Sequence, residues 1–196
     1  MPRLNVIVSS TRPDRIGGTI GTWFAALARE HAGFDVHVVD LAALNLPFLD
    51  EPVPAVEGEP YRHEHTRRWS ELTAAADAFV IVTPEYNQGY PAPLKNALDY
   101  LYAEWLDKPV AFVSYGMTSG GMRAVQQLKP VVSALGMVPV NAAVVVHLRQ
   151  TVDEHGTFTP GPGIHDAAHG TLDELLRLAS ALRTLREPAD TAAALG

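Results

Sequence analysis

The sequence predicts an α/β fold in which one parallel sheet carries helices on both faces. Five short apolar runs alternate along the chain with amphipathic segments of helical period, and that alternation builds a parallel sheet wrapped on both sides. The third run, Ala78-Phe79-Val80-Ile81-Val82, is apolar throughout, as a strand buried on both faces must be. At 196 residues, 47% hydrophobic and 19% charged, the chain has the size and composition of one domain with a proper core. That domain is expected over residues 1–187, with a frayed, Ala-rich tail over Pro188–Gly196.

Leu4–Val8 reads as strand one. Ile16–Ala32 is a helix with Ile20, Trp23, Phe24 and Leu27 on one face. Asp35–Asp40 is strand two, and the Pro-rich stretch Leu41–Pro60 reads as a long surface loop, a candidate border of the site that sets acceptor choice. Tyr61–Ala76 is an amphipathic helix. Ala78–Thr83 is strand three, stopped by Pro84, which cannot continue a ladder. Ala92–Tyr102 is a helix, Pro109–Ser114 strand four, and Gly121–Leu135 a helix ended by Gly136 at C′. Val138–Val146 is strand five. A Gly/Pro-rich loop, Gly156–Gly163, leads to a last helix, Asp166–Arg186.

Composition excludes several classes. The net charge of −7 offers no basic footprint for nucleic acid. The chain has no cysteine, which rules out disulfides, thiolate catalysis and Cys-ligated zinc or iron–sulfur clusters. No signal segment opens the chain and no apolar run approaches a membrane span, so a soluble, cytoplasmic protein is expected.

Ligands of open α/β sheets bind just beyond the carboxyl ends of the strands. Three loops therefore matter. The first, Ser9-Ser10-Thr11-Arg12-Pro13-Asp14-Arg15-Ile16-Gly17-Gly18, offers hydroxyls, free N–H groups at a helix start and two guanidinium groups, all suited to an anion. It lacks the G-x-G-x-x-G of a dinucleotide turn and the Gly-Lys-Ser/Thr of a Walker loop. It reads as a site for a terminal phosphomonoester, or equally as an ordinary Ser/Thr turn capping a helix. The second loop runs through Thr83-Pro84-Glu85-Tyr86-Asn87-Gln88-Gly89. The third, Ser114-Tyr115-Gly116-Met117-Thr118-Ser119-Gly120-Gly121, is glycine-rich, so its backbone can approach a flat ligand or simply connect strand to helix. Right-handed crossovers leave a flavodoxin-like or a Rossmann strand order. In the flavodoxin-like order 2-1-3-4-5, strands one, three and four are neighbours and the three loops converge. One reaches a phosphate and two offer polar backbone to a ring edge, a geometry that suits flavin mononucleotide.

These residues together resemble the NADPH-dependent FMN reductase family. Ser-x-x-Arg follows strand one, Pro-Glu-Tyr-Asn follows strand three, then Pro-x-x-Leu-Lys-Asn-Ala-Leu-Asp, and Ser-Tyr-Gly with Gly-Gly follows strand four. The resemblance implies a flavodoxin-like three-layer sandwich, bound FMN, NADPH or NADH as co-substrate, and a homodimer or dimer of dimers. It implies that Ser9, Thr11, Arg12, Arg15, Ile16 and Gly17 hold the FMN phosphate. Backbone groups of Pro84, Glu85, Tyr86 and Asn87 would meet the isoalloxazine edge, with Tyr86 packed by the ring, and Ser114, Tyr115 and Gly116 would flank its other side. Arg15 and Gly17 depart from the Ser and Asn that many members carry, although an arginine still suits phosphate.

The flavin would carry the chemistry, so no catalytic side chain is expected. Hydride would pass from NAD(P)H through FMN to a small-molecule acceptor (flavin, quinone, azo compound or metal oxyanion) by ping-pong turnover. The rival readings are a flavodoxin-type electron carrier and a flavin-based redox sensor without NAD(P)H turnover. Other features read blandly. Glu85 is expected to matter through its backbone, with a solvated carboxylate. Lys95 and Asp99 suit an i,i+4 pair. His165 and His169 have a zinc-compatible spacing but no motif glutamate and no evident third ligand, so no metal is expected. His63 and His65 are expected on different helix faces, and Trp69, Tyr100, Tyr102 and Trp105 in the core or at a dimer contact.

Overall fold

A computed structural model describes residues 1–186; the tail expected from Pro188 lies outside the described residues. Five strands, β1 (Arg3–Val8), β2 (Asp35–Asp40), β3 (Ala78–Pro84), β4 (Pro109–Gly116) and β5 (Val138–His147), form one sheet in the order β2-β1-β3-β4-β5. Every neighbouring pair is parallel. The helices are α1 (Gly17–Glu30), α2 (Leu41–Leu44), α3 (Glu64–Ala74), α4 (Ala92–Asp99), α5 (Met122–Ala134), α6 (Leu148–Thr151) and α7 (Pro162–Arg186).

Alternate strand residues leave the sheet on opposite sides, and each side has its own core. Ala78, Val80 and Val82 of β3 meet Ile20 and Phe24 of α1 and Leu172 and Leu175 of α7. Phe79 and Ile81 meet Trp69 of α3, Leu94 and Leu98 of α4, and Leu128 and Val132 of α5. Each fully buried side chain of this size is worth about 1.5–3 kcal/mol of transfer free energy. The two indoles of this second core are satisfied: Trp69 Nε1 donates to Ala97 O at 2.8 Å and Trp105 Nε1 to Leu98 O at 3.2 Å, as burial of an indole demands.

Several boundaries differ from the sequence reading, each for a local reason. Pro84 stays in the ladder opposite Tyr115, because the N–H used there is that of Glu85, which donates to Tyr115 O at 3.1 Å. Leu41–Pro60 is not loop throughout. The Asp40 side chain caps α2 by accepting from Ala42 N, and a 3-10 turn forms at Ala55–Glu57. The loop is pinned to α4 by Asn96, whose Oδ1 accepts from Leu49 N at 3.0 Å and whose Nδ2 donates to Pro47 O at 2.7 Å. The helix from Ala92 stops at Asp99, and a 3-10 turn at Ala103–Trp105 follows, where the Glu104 carboxylate gathers Tyr102 N and the Tyr61 hydroxyl. The last helix begins at Pro162, since proline is at home in a first helical turn.

Gly136 does end α5: at φ +75° it donates to Ser133 O, and Met137 N donates to Val132 O, the paired bonds of a Schellman motif. Lys108 is 5% exposed, and its ammonium donates to two carbonyls at the end of α3, Thr73 O at 2.9 Å, which Ala76 N also reaches, and Ala74 O at 3.0 Å. Burial, then the nearby Arg186, push its pKa down to about 8. Where β5 slips register against β4, Asn141 N and Ala142 N donate to the two oxygens of Glu174 on α7.

His63 and His65 do not face apart. Their rings stack at 5.2 Å with 5° between planes, because His63 lies before α3 in extended backbone and escapes the helical rotation. The Lys95–Asp99 pair forms at 2.6 Å. Trp69, Tyr100 and Trp105 are core residues.

Candidate functional site

The sheet order makes β1, β3 and β4 neighbours, so the loops leaving them meet at one edge. A cavity of about 210 Å³ opens there. Arg12, Arg15 and Ile16 line it from the first loop, Pro84, Glu85 and Tyr86 from the second, and Tyr115, Gly116 and Met117 from the third. Leu148 of α6 completes the wall. A larger cavity of about 510 Å³ lies on the other side of the first loop, between Thr11, the Leu41–Phe48 stretch and α4.

The first loop has the chemistry that suits an anion. The first turn of α1 has no capping side chain and no acidic residue, so its N–H groups and the positive end of its dipole are free. Gly17 is required there by a close approach: a Cβ would stand 2.3 Å from Tyr115 Oη. Arg12 is exposed. Arg15 forms an ion pair with Asp40 through Nη2, while its Nε is buried without a partner. Ser9 is fully buried and its hydroxyl is committed to Val82 O at 2.9 Å, so it bridges β1 to β3 rather than facing the cavity. Ser10 is fully buried as well, and its Oγ lies 2.6 Å from Tyr86 Oη, joining the first two loops. Thr11 lines the larger cavity instead of the smaller one.

In the second loop Asn87 and Gln88 both have positive φ, and Tyr86 and Gly89 exchange both backbone hydrogen bonds across them, the pattern of a two-residue type I′ turn. The N–H groups of Glu85 and Tyr86 are therefore spent within the chain, on Tyr115 O and Gly89 O. The donors left at the tip are those of Asn87 and Gln88. The Glu85 carboxylate is not solvated, contrary to the sequence reading: its side chain is 10% exposed. It takes the Ser119 hydroxyl in a short bond, Arg123 N at 3.2 Å and Arg123 Nη1 at 3.2 Å. It thus caps α5 from another element. Burial works to raise this carboxyl, and the bonds from Ser119 and Arg123 outweigh it, so it titrates below its ordinary range.

In the third loop Ser114 is buried and its hydroxyl donates to Gly120 O at 2.8 Å, which folds the loop back. Tyr115 is 4% exposed, and its Oη stands near the Ser10 hydroxyl without a hydrogen bond of full geometry among the described residues. Burial, then the neighbouring Tyr86, raise its hydroxyl above the ordinary range, so it stays a neutral donor.

Two buried polar atoms, Tyr115 Oη and Arg15 Nε, thus stand without partners beside an uncapped helix start. A buried polar atom left unpaired is costly, and both belong to side chains that line the cavity. The residues present fit FMN. Sequence reading missed Ser10, Gln88, Ser119 and Arg123. Strand alternation carries the signal for Ser10: if Ser9 continues β1, the next side chain points to the opposite side. Among the described residues no group of His, Asp and Glu is placed to hold a metal. His165 instead packs edge-on against Trp23 at 5.5 Å.

Comparison with known proteins gives a consistent result. The family described as NADPH-dependent FMN reductase matches residues 2–151. An NAD(P)H-dependent FMN reductase of Schizosaccharomyces pombe is 47% identical over 137 residues, covering 69% of this chain and 68% of that protein. Another, of Saccharomyces cerevisiae, is 38% identical over 195 residues, covering 94% and 98%. Among solved structures, a flavoenzyme NAD(P)H:(acceptor) oxidoreductase from Paracoccus denitrificans superposes with a TM-score of 0.71 at 22% identity, over 92% of this chain and 98% of that one.

Proposed function

The chain belongs to the NADPH-dependent FMN reductase family, and from that premise we propose that it is an FMN-dependent oxidoreductase passing hydride from NAD(P)H to a small-molecule acceptor by ping-pong turnover. The observation that carries the reading is the convergence of three strand-end loops on one cavity bordered by an uncapped helix start and two unpaired buried polar atoms.

When bound, FMN supplies the hydride-accepting and hydride-donating chemistry. The protein's part is to bind and orient. The first turn of α1, Arg12 and Arg15 would hold the phosphate. The N–H groups of Asn87 and Gln88 would meet the ring edge and stabilise the negative charge that reduction places there, as an oxyanion hole does. Tyr115 and Tyr86 would border the ring. Tyr86 and Met117 are 38% and 55% exposed, so the mouth is open to solvent, and donor and acceptor would take turns at it. The acceptor belongs to the flavin, quinone, azo or metal-oxyanion class. A 2-hydroxy-1,4-benzoquinone reductase of a Burkholderia species, 29% identical over 164 residues, supports the quinone choice.

A cytoplasmic homodimer or dimer of dimers is part of the same proposal. Phe48, Leu49 and Val56 are 87%, 47% and 61% exposed on the segment after β2 and would supply the apolar contact. No helix among the described residues is long and apolar enough to cross a membrane.

The test is an absorbance spectrum of purified protein loaded with FMN, followed by anaerobic NADPH and then a quinone. Bleaching of the flavin band and its return with quinone are expected. A bound flavin that both NADPH and NADH leave oxidised would overturn the reading in favour of an electron carrier or sensor. Initial rates at several acceptor concentrations should give parallel double-reciprocal lines; intersecting lines would exclude ping-pong turnover.

A further inference from the structure

We propose that Asp40 is a positioning residue for phosphate recognition, acting through Arg15. The inference rests on the reading that the loop after β1 takes the terminal phosphate of FMN. Asp40 closes β2 and is the register partner of Val8, the last residue of β1. The sheet itself therefore places a carboxylate beside the phosphate loop. That carboxylate is used at both oxygens: Oδ1 accepts from Ala42 N at 3.0 Å and caps α2, while Oδ2 takes Nη2 of Arg15. The side chains are 33% and 22% exposed.

A guanidinium is a rigid planar fork, so anchoring one N–H fixes the direction of the others. Arg15 is anchored at Nη2 and keeps a buried, unpaired Nε. Arg12 is exposed and has no ion-pair partner among the described residues, so it supplies charge without a fixed direction. An acid beside a phosphate loop would ordinarily repel the ligand. Here its charge is absorbed by Arg15, and what remains is orientation. The same residue ties the loop to the Leu41–Phe48 stretch through the α2 cap.

The test compares dissociation constants for FMN and riboflavin, which differ only in the phosphate, by flavin fluorescence quenching. Asp40→Asn preserves the cap, because its amide oxygen can accept from Ala42 N, and removes the ion pair. We expect FMN to bind about tenfold more weakly, the scale of one charge-assisted hydrogen bond, with riboflavin changed less than about twofold. Arg15→Lys keeps the charge and loses the fork, and should lose the same discrimination. The double variant should be no worse than Arg15→Lys alone. Equal weakening of both flavins would make Asp40 merely structural and overturn the inference. Tighter FMN binding by Asp40→Asn, or full discrimination in Arg15→Lys, would show that charge alone matters and overturn it too. Wild-type protein that binds neither flavin would instead sink the FMN reading itself, and the positioning role with it.

Discussion

The hydroxyl of Ser10 and the phenol of Tyr86 meet at 2.6 Å, and this contact couples the loop after β1 to the loop after β3. Ser10 is fully buried while Tyr86 is partly exposed, so loss of the phenol strands a buried hydroxyl. Tyr86→Phe is therefore expected to cost about 1–3 kcal/mol. FMN affinity should fall with it, and Ser10→Ala added to Tyr86→Phe should recover part of the stability. Urea melts of the three variants check this; a Tyr86→Phe protein as stable as wild type would show that the contact contributes nothing.

Gly17 and Tyr115 are matched in shape. In Gly17→Ala the new Cβ would fall 2.3 Å from Tyr115 Oη and 3.2 Å from Cζ, and overpacking of this kind costs roughly 1–3 kcal/mol. Tyr115→Phe removes the clashing oxygen, which has no hydrogen-bond partner among the described residues. The double variant should regain most of the apo-protein stability while still binding FMN more weakly than wild type. Apo-protein melting temperatures and flavin titrations read the two effects apart.

Glu85 should carry part of the acid sensitivity. Its folded pKa lies below the unfolded value of 4.5, so its contribution is fully present above that value and is lost as the pH falls through the folded pKa. Glu85→Gln should be less stable than wild type at pH 7, and the gap should close towards pH 3. Denaturation midpoints at both pH values decide; a gap that stays constant would remove the linkage.

Lys108 works in the opposite direction. Its folded pKa of about 8 lies below the ordinary 10.5. Between those values the unfolded chain binds more protons, so this group's contribution to stability rises with pH. Lys108→Met, which removes the ammonium from the Thr73 and Ala74 carbonyls, should be destabilised by about 1–3 kcal/mol at pH 7. Its deficit should widen at pH 10. A deficit that narrows at pH 10 would contradict the burial argument.

The sheet was legible because β3 and β4 are apolar runs buried on both faces and Gly136 marks a helix end, whereas its order rested on the family resemblance, and Pro84 misled because it remains in the ladder. The three loops were legible by their place at strand ends. What escaped was the commitment of individual groups. Nothing local shows that Ser9 faces Val82, or that the Glu85 N–H is claimed by Tyr115 O, since both partners lie on other strands. Glu85 looked solvated because acidic residues in loops generally are; its partners Ser119 and Arg123 stand 34 and 38 residues away. Asp40 could have been noticed, since the order 2-1-3-4-5 puts the end of β2 beside the arginines of the first loop. The stacking of His63 on His65 could not, because it depends on where α3 begins.

The Glu174 carboxylate that takes the two displaced N–H groups of β5 has a consequence for solubility. A terminal strand with free donors is a template for further strands, and proteins that leave one open risk uncontrolled polymerisation. Here the slipped middle of the outermost strand is already occupied by an anion from α7. An approaching chain finds these two donors already taken, which interrupts the row that strand addition needs.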